Sequence, residues 1–336
     1  MTLGGSAGGG EAFGRIAAID VDAARRIHVV DGFDRELRVF GPDGALLRRF
    51  GRRGGGPGEF ESVAGMAVGR DGTAWIVDGA SVRYTVIRGD EVRTHRRASA
   101  LYRLPWLGGL GPDGYFHDAV VFPGGPGEVL LRIDREGAVT DTFAVPAPLL
   151  AVPRRGAMSF PIPYAPRVLR AFDPGGFVWI AVTHAYRAVK VSLRGDTVQV
   201  VERRHRPPAL TGVERDSIRR YVRALEPLGV AVREEMLPRT GPLLRWLSVD
   251  DRANLWVGRA GTEGRPVADV FDAAGRHVAE VAVPFERVLL RPVVRGDEVY
   301  AVVAGEYGVP VVVRARVIRG RDGPERDGPS PLEARR

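Results

Sequence analysis

The sequence predicts an all-β fold, a six-bladed β-propeller whose blades are four-stranded antiparallel sheets, and three observations support this prediction. First, the chain from Phe13 aligns without a gap with the chain from Phe60, at an offset of 47 residues that matches Asp31 with Asp78. Second, short apolar segments alternate with tight turns, as expected of strands. Third, the 336 residues include 44 glycines and 25 prolines, as expected of many turns. An internal repeat of this length is typical of propellers and related arrays.

Six units of the sequence share one pattern, in which an apolar strand is followed by a polar turn and a second apolar strand. The turns contain Asp-Gly or Pro-Asp-Gly, as in 41–44 and 111–114, and these residues tolerate the backbone conformations of hairpins. A third strand follows in each unit and a fourth in most, so a single domain is predicted over residues 1–318. The predicted blades cover residues 13–50, 60–97, 104–145, 167–205, 243–283 and 286–318.

Two long insertions, 146–166 and 206–242, separate consecutive blades. A helical segment is predicted near 211–236, because a Thr-x-x-Glu capping box at Thr211 precedes apolar residues at helical spacing. Both insertions join the last strand of one blade to the first strand of the next. In a propeller such connections lie at the same end as the loops between second and third strands. We therefore expect both insertions on one face, together with the glycine-rich connector Phe50–Phe60.

The two ends of the chain make separate predictions. Residues 319–336 are charged and rich in Pro and Gly, which predicts a disordered tail. The sixth unit has no further strand after Ile318, so its fourth strand should come from the N-terminus and close the ring. Only Met1–Leu3 precedes Gly4, where a degraded copy of the glycine-rich connector begins. We therefore expect that the true start lies upstream and that a closing strand is missing.

Composition restricts the class of function. The formal net charge is +8, but Lys190 is the only lysine and the arginines are scattered among 41 acidic residues. A basic face for nucleic acid is therefore not predicted. The chain has no cysteine, which excludes disulfides, thiolate metal ligands and cysteine nucleophiles. No apolar segment is long enough to span a bilayer, so a transmembrane segment is not predicted.

The cellular location depends on the N-terminus. Abundant Arg, Ala, Gly and Pro with little Lys, Asn or Gln indicates a GC-rich, bacterium-like genome. Residues 1–10 lack the basic and apolar regions of a signal peptide. We expect an exported protein, periplasmic or extracellular, if the true N-terminus is missing, and a cytoplasmic protein otherwise.

The first two units resemble a known family. The connector Phe50–Phe60 ends in Gly-Pro-Gly-Glu-Phe and is followed by a strand, the turn at Asp71-Gly72 and the strand Trp75–Asp78. This arrangement closely resembles an NHL repeat and covers residues 3–97. Units three to six keep only the turn and the aromatic strand, with a displaced Gly-Pro-Gly-Glu at 125–128. The resemblance implies a six-bladed propeller that serves mostly as a binding platform, although some related propellers are lyases or hydrolases.

Histidines are the main candidates for metal chemistry, and none of the six forms a short-spacing pair. His28 occupies the position that Trp75 takes in the next unit, which predicts a packed side chain. His117, which precedes Asp118, and His184 are the better candidates for a functional face.

The residues that calcium binding, serine hydrolysis and phosphate binding require are not present in the expected patterns. Asn254 is the only asparagine and lies in a turn, so a calcium site built from asparagine and aspartate oxygens is not predicted. No Gly-x-Ser-x-Gly motif is present, and the glycine-rich connector lacks the Gly-Lys-Ser/Thr ending of a phosphate-binding loop. Asp31 and Asp78 are interpreted as braces of equivalent turns. The tryptophans at equivalent strand positions are interpreted as core between blades: Trp75, Trp179 and Trp256. No catalytic residue, metal ligand or cofactor is predicted.

The predicted binding surface is a concave face formed by loops of different blades. Its candidate ligand contacts are His117, His184, Tyr186, Arg187, Glu306 and Tyr307. The first hypothesis is a non-catalytic, monomeric binding or scaffold propeller that presents this loop-rich face to a ligand or protein partner. The alternative is a metal-dependent lyase or hydrolase, which requires channel histidines (His28, His117, His184) within about 4–5 Å of one another.

Overall fold

The computed structural model describes most of the chain, namely residues 1–4, 12–122, 127–146, 148, 150–156, 158–261, 264–285 and 288–318. Within this part, six four-stranded antiparallel sheets form blades around a central axis, which confirms the predicted six-bladed propeller. No helix in the described ranges is long and apolar enough to cross a membrane. The predicted disordered tail, 319–336, and part of the 125–128 motif lie outside the described residues.

The chain starts with the short strand β1 (Thr2–Leu3). Blade 1 consists of β2 (Ile16–Val21), β3 (Ile27–Asp31), β4 (Glu36–Phe40) and β5 (Leu46–Phe50). Blade 2 consists of β6 (Val63–Val68), β7 (Ala74–Asp78), β8 (Arg83–Arg88) and β9 (Glu91–Arg96). Blade 3 consists of β10 (Gly108–Leu110), β11 (Phe116–Val121), β12 (Glu128–Ile133) and β13 (Val139–Ala144). A small hairpin of β14 (Arg154–Arg155) and β15 (Met158–Ser159) follows in the first insertion.

Blade 4 consists of β16 (Val168–Asp173), β17 (Phe177–Val182), β18 (Arg187–Ser192) and β19 (Thr197–Glu202). The second insertion contains α1 (Gly212–Leu225) and the short 3-10 helices Glu226–Leu228 and Glu234–Met236. Blade 5 consists of β20 (Leu244–Val249), β21 (Leu255–Ala260), β22 (Pro266–Phe271) and β23 (His277–Ala282). Blade 6 consists of β24 (Val293–Arg295), β25 (Glu298–Ala304), β26 (Pro310–Arg316) and, as its fourth strand, β1. A 3-10 helix, Glu306–Gly308, joins β25 to β26.

The ring is closed by β1. The innermost strands contact one another in the order β2, β6, β10, β16, β20 and β24, and β24 contacts β2 again. Thr2 pairs with Val313, and Leu3 pairs with Val312 of β26. The expectation that a closing strand is missing is therefore wrong, because a two-residue strand takes that place. The repeat explains the error: the offset of 47 residues matches Thr2–Leu3 with 49–50, the end of β5 in blade 1.

The strand boundaries of blades 1 and 2 repeat at the same 47-residue offset as the sequence. β2 and β6 begin and end at positions that differ by this offset, as do β3 and β7. Both innermost strands carry a bulge at the same place, at Ala17 in blade 1 and at Ala64 in blade 2. The repeated sequence therefore specifies the irregularities of a blade as well as its strands.

The end-of-strand aspartates are turn braces, as predicted. The buried carboxylate of Asp31 accepts hydrogen bonds from the backbone amides of Gly14 at 3.0 Å and Phe33 at 2.8 Å. Asp78 accepts bonds from the amides of Glu61 at 2.8 Å, the residue that matches Gly14, and of Ser81 at 3.2 Å in the turn after the second strand. Each carboxylate thus joins the start of one blade to the turn between its second and third strands.

The hydrophobic core lies at the junctions between blades, where six clusters of buried side chains fill the six junctions of the ring. Trp75, Trp179 and Trp256 are 3%, 1% and 5% exposed and belong to these clusters, which confirms their predicted role. The ring of Trp75 stacks on Phe116 of the next blade, with centroids 4.8 Å apart. Every blade is therefore stabilised by both of its neighbours.

The glycine-rich connector contains a glycine that lies beneath a buried phenylalanine. Gly51 has a φ of +94°, and a Cβ built there would lie 2.4 Å from the ring of Phe60. Before blade 1, Gly4 has a φ of +86°, and its Cβ would lie 2.4 Å from the ring of Phe13. Both phenylalanines are buried. A glycine is therefore required at both places, for its backbone conformation and for the space it leaves.

The two insertions fold together into one unit, which we call the cap (the described residues of 146–166 and 206–242). Thr211 and Glu214 form both hydrogen bonds of a capping box at the start of α1, as the sequence predicts. Ile218 on α1 packs with Ile162 of the first insertion in a small separate core. The Arg155 guanidinium donates a hydrogen bond of 2.7 Å to the Leu228 carbonyl oxygen. After α1, the predicted helical segment near 211–236 continues only as the 3-10 helices Glu226–Leu228 and Glu234–Met236.

Candidate functional site

The propeller has two ends with different loops. We call the insertion face the end that carries the connections between blades, including the cap, and the turns between second and third strands. We call the hairpin face the end that carries the turns between first and second and between third and fourth strands. The sequence places the candidate binding surface on the insertion face.

A cavity of about 1020 Å³ opens on the hairpin face, around the central axis. Turns between the first and second strands contribute most of its wall, and all six blades take part. Residues from these turns that line the cavity fall within 22–25, 69–73, 111–114, 174–175 and 250–253, together with Arg295. This cavity was not predicted, because each turn alone resembles an ordinary hairpin turn and only the closed ring brings them together.

The carboxylates of these turns are engaged by their own blades. Burial alone would raise the pKa of Asp22, but hydrogen bonds from His28 and Arg26 lower it to about 2. Asp250 accepts hydrogen bonds from the Asn254 side-chain amide at 2.9 Å and from the Trp256 indole at 3.0 Å. The lone asparagine thus belongs to a turn, as its position in the sequence suggests. Turn bracing therefore occupies these carboxylates, and they are poorly placed to act as bases.

Blades 2 and 3 repeat this arrangement. Asp71 binds the backbone amide of Thr73 at 3.0 Å and its hydroxyl at 2.9 Å. Asp113 accepts a hydrogen bond of 2.8 Å from Arg132 and one of 3.1 Å from the Tyr115 amide. In both aspartates burial would raise the pKa, and these hydrogen bonds lower it overall. Both side chains therefore stay ionised as braces of their turns.

His117 is enclosed near the hairpin face, away from the other predicted contacts. It follows the first turn of blade 3, is 2% exposed and packs against Phe172, with ring centroids 4.9 Å apart. Burial lowers the pKa of His117 to about 4, and the nearby Asp113 carboxylate opposes this only in part. The structure therefore does not bring His117 together with the residues of the insertion face.

Three of the predicted contacts lie close together in blade 4, on the insertion face. The Nε2 atom of His184 is 3.0 Å from the Thr240 carbonyl oxygen, so this side chain anchors the cap. Tyr186 is 4% exposed and donates a hydrogen bond to the Asp269 carboxylate of blade 5. Arg187 is exposed and lies 3.9 Å from Glu202. The first two therefore have structural contacts, and Arg187 is accessible to a partner.

Glu306 and Tyr307 occupy the turn between the second and third strands of blade 6, also on the insertion face. Tyr307 is 94% exposed and has a φ of 56°. Neither side chain is needed for packing. Ligand contact by the six sequence-derived candidates stays a prediction.

Two buried aspartate networks were not found from the sequence. Asp118 accepts hydrogen bonds of 2.7 Å from Tyr84 and Arg97 and one of 2.8 Å from the Trp106 indole. In blade 5 the acceptor is Asp269, on the third strand, which accepts a hydrogen bond from Tyr186 of blade 4. Burial and this hydrogen bond raise the pKa of the Tyr186 hydroxyl above its ordinary range. The sequence does contain a signal for both networks: Asp118 and Asp269 each lie inside a largely apolar strand. A carboxylate buried in such a strand needs a hydrogen-bond donor that is buried with it.

Arginines complete the second network. Arg259 and Arg203 both contact the Asp269 carboxylate, at 2.7 and 2.8 Å. Burial would raise the pKa of Asp269, and the bonds from Arg259 and Tyr186 lower it overall. Each network joins neighbouring blades through charge-assisted hydrogen bonds, so both are structural braces.

The histidines do not converge on the axis. His28 is 4% exposed and lies 3.2 Å from the Asp22 carboxylate, which confirms a packed side chain. His28, His117 and His184 belong to three different blades, and His184 lies at the opposite end from the other two. Among the described residues, no group of three His, Asp or Glu side chains is arranged to hold a metal ion.

No family model matches the chain, and no curated protein sequence matches it. Solved structures do resemble it. A protein from Bacteroides fragilis gives a TM-score of 0.51 at 11% identity and covers 95% of each chain. The WD40 repeats of RRP9 give a TM-score of 0.51 at 10% identity, with 90% of this chain and 94% of that chain covered. Virginiamycin B lyase from Staphylococcus aureus gives a TM-score of 0.45 at 11% identity, over 91% and 85% of the two chains. At these identities the two structures with a TM-score of 0.51 show similarity of fold alone.

Proposed function

We propose that the chain is a non-catalytic binding propeller of the NHL-repeat type, which binds an acidic protein partner through the cap on its insertion face. The observation that carries this proposal is the outer side of α1. Two exposed arginines there, Arg220 and Arg223, have no ion pair or hydrogen bond with any residue that the structure describes.

The two sides of α1 have different roles. Ile218 and Leu225 are buried, and Tyr221 and Val222 are partly buried, so one side of the helix builds the core of the cap. The opposite side has no such role: Val213 is 76% exposed. Val213 and the exposed arginines border a shallow depression.

The positive charge on the outer side of α1 indicates the chemistry of the partner. Arg219 pairs with Asp216 on the same helix, which leaves Arg220 and Arg223 to add uncompensated positive charge to this surface. The first insertion contributes Arg154 and Arg155 and contains no acidic residue. Such a surface is complementary to clustered carboxylates, and the attraction favours both encounter and orientation.

A catalytic role finds less support. The carboxylates around the hairpin-face cavity brace their turns, and His117 is enclosed with a low pKa. The described histidines are packed, anchored or distant from one another, so the metal-dependent alternative has no donor set on which to build.

The proposal is tested by charge reversal on the cap. Poly-L-glutamate is the probe, and its affinity is measured by biolayer interferometry for wild type and for R220E/R223E. We expect the variant to lose affinity by about tenfold, and the wild-type affinity to fall as salt is added.

The matched control is R135E/R194E, which makes the same charge change at two exposed arginines on the hairpin face. We expect this control to bind poly-L-glutamate almost as wild type does. Equal losses in the two variants would show a non-specific charge effect and contradict the proposal. Tighter wild-type binding to a single-stranded oligonucleotide than to poly-L-glutamate would replace the protein partner with nucleic acid.

A further inference from the structure

The hairpin-face cavity lies at the opposite end of the propeller from the cap, so a partner bound to the cap leaves it open. Its volume is about 1020 Å³, and residues of all six blades line it. Most small-molecule sites are concave pockets of roughly this size in which several polar groups converge. The chemistry of the wall therefore indicates which class of ligand fits.

The wall of this cavity carries no net charge. Among the described residues that line it, seven are arginines and seven are aspartates or glutamates. Part of this charge is compensated within the wall, where Arg93 pairs with Glu91 at 2.6 Å and Arg88 lies 3.9 Å from Asp71. An anion or a cation would meet groups of its own sign on the same wall. The balance of charge therefore favours a neutral ligand.

The cavity offers little apolar surface. None of the large apolar side chains that are exposed in the described part of the chain lines it. Val21 and Val68, at the ends of two innermost strands, are buried. The exposed ring of Pro112 and the half-exposed ring of Pro174 provide small apolar surfaces on blades 3 and 4. A wholly apolar ligand would cover charged groups without giving them hydrogen bonds, which is costly.

Carboxylates that are held in place provide hydrogen-bond acceptors. Asp71 accepts one hydrogen bond on each oxygen, from the backbone amide and the hydroxyl of Thr73. Asp251 accepts a hydrogen bond of 2.9 Å from the Gly296 amide of blade 6. Both aspartates are exposed and line the cavity. An ionised carboxylate has about four acceptor positions, so each of them can also bind hydroxyl groups of a ligand.

Two arginines on opposite blades provide hydrogen-bond donors. Arg70 lies in the first turn of blade 2 and Arg252 in the first turn of blade 5, and these blades face each other across the axis. Both side chains are exposed and line the cavity. Neither guanidinium forms a hydrogen bond or ion pair with any residue that the structure describes. The N–H groups of both are therefore available to a ligand.

We propose that the hairpin-face cavity binds a neutral saccharide. Its hydroxyl groups donate hydrogen bonds to the carboxylates of Asp71 and Asp251. They accept hydrogen bonds from the guanidinium groups of Arg70 and Arg252. Each sugar hydroxyl is both a donor and an acceptor, so several of them on one ring match a wall that offers both kinds of group without net charge.

The binding test uses isothermal titration calorimetry with neutral trisaccharides, namely maltotriose, cellotriose, xylotriose and mannotriose. We expect wild type to bind at least one of them at a single site. Its affinity should change little between low and high salt, because the ligand carries no charge. Citrate and spermidine, an anion and a cation, are the comparison probes and should bind more weakly.

Two adjacent alanines in the first turn of blade 1 test the location of the site. Ala23 and Ala24 are both exposed, but only Ala23 lines the cavity. A23W places a large side chain in the cavity and should lower the affinity by about tenfold or more. A24W is the matched control and should bind as wild type does. The bound trisaccharide should raise the unfolding temperature of wild type and A24W but not of A23W.

Single substitutions test the donors. R70A and R252A should each lower the affinity by about tenfold, because each removes a charge-assisted hydrogen bond. R194A is the control, since Arg194 is exposed on the same face and does not line the cavity. We expect R194A to bind the trisaccharide as wild type does.

Three results would overturn the proposal. They are no binding of any of the trisaccharides by wild type, equal binding by A23W and A24W, and tighter binding of citrate or spermidine than of every trisaccharide. If A23W does not fold, wild-type affinity in both R70A and R252A leads to the same conclusion. R220E/R223E changes only the cap and should bind the trisaccharide normally, so the outcome is independent of poly-L-glutamate binding.

Discussion

His117 is a neutral side chain inside the protein. Both of its ring nitrogens are buried without a hydrogen-bond partner in the described structure. Burial lowers its pKa to about 4 from the ordinary value of 6.5, Asp113 opposes this shift and Arg132 adds to it. Protonation of this imidazole therefore favours the unfolded chain, where the ring is hydrated.

The first prediction concerns the pH dependence of stability. Between pH 6.5 and about 4, the unfolded state binds the proton of His117 and the folded state does not, so the free energy of unfolding falls as pH falls. The full effect is on the order of 3 kcal/mol. Urea unfolding of wild type and H117L across this range measures it, and the slope should be smaller in H117L. The same slope in both proteins would contradict the assignment.

Residue-level roles were predictable where the partners are local. Asp31 binds amides within 17 residues, and the repeat marks both it and Asp78. Asp269 receives its bond from Tyr186, 83 residues away in another blade. No spacing in the sequence encodes that pair, because it depends on how two blades stack. Tyr186 therefore looked like a surface residue although its side chain is buried.

At the scale of elements, the glycine-rich connector depends on close contact between Gly51 and Phe60. A methyl group on Gly51 meets the ring at 2.4 Å, and the φ of +94° disfavours any other residue. We predict that G51A lowers the free energy of unfolding by about 1–3 kcal/mol. Chemical denaturation of the purified variant is the measurement.

The control for this change lies in the same connector. A Cβ on Gly55 would meet only the Glu61 carboxylate, at 3.6 Å, and Gly55 does not have a positive φ. G55A should therefore remain within about 0.5 kcal/mol of wild type. Equal effects of G51A and G55A would mean that connector flexibility, and not the fit beneath Phe60, determines stability.

Most elements were predictable because their signals are local. The capping box at Thr211 marked the start of α1, and hairpin turns marked the strands. The face of the insertions followed from strand order alone. The hairpin-face cavity was not predictable, since it arises only when five separate turns and Arg295 of blade 6 meet around one axis. The apolar side of α1 was predictable from its spacing, but its packing partner was not, because Ile162 belongs to the other insertion.

At the scale of the whole molecule, closure of the ring depends on very few residues. Leu3 is 7% exposed and packs with Phe13, Ile16 and Val302 at the junction of blades 6 and 1. We predict that L3A lowers the free energy of unfolding by about 2–5 kcal/mol, the range for a buried leucine. Equilibrium urea unfolding measures this loss.

Leu47 on β5 provides the comparison, because it is 52% exposed. L47A should change stability by about 0.5 kcal/mol or less. If L3A proved as mild as L47A, the ring would not depend on its closing strand. Hydrogen exchange of β26 amides then distinguishes an opened blade 6 from a ring held by other contacts.

The pairing of β1 with β26 has a consequence for how the chain can be rearranged. Blade 6 combines strands from both ends of the described chain, and the backbone amide of Arg314 in β26 donates to the Met1 carbonyl oxygen at 2.9 Å. A circularly permuted chain that begins at Ala12 and carries residues 1–4 after β26, joined by a short turn, would retain every strand pairing of blade 6. The chain could therefore begin at a different residue while the order of the blades around the axis stays the same.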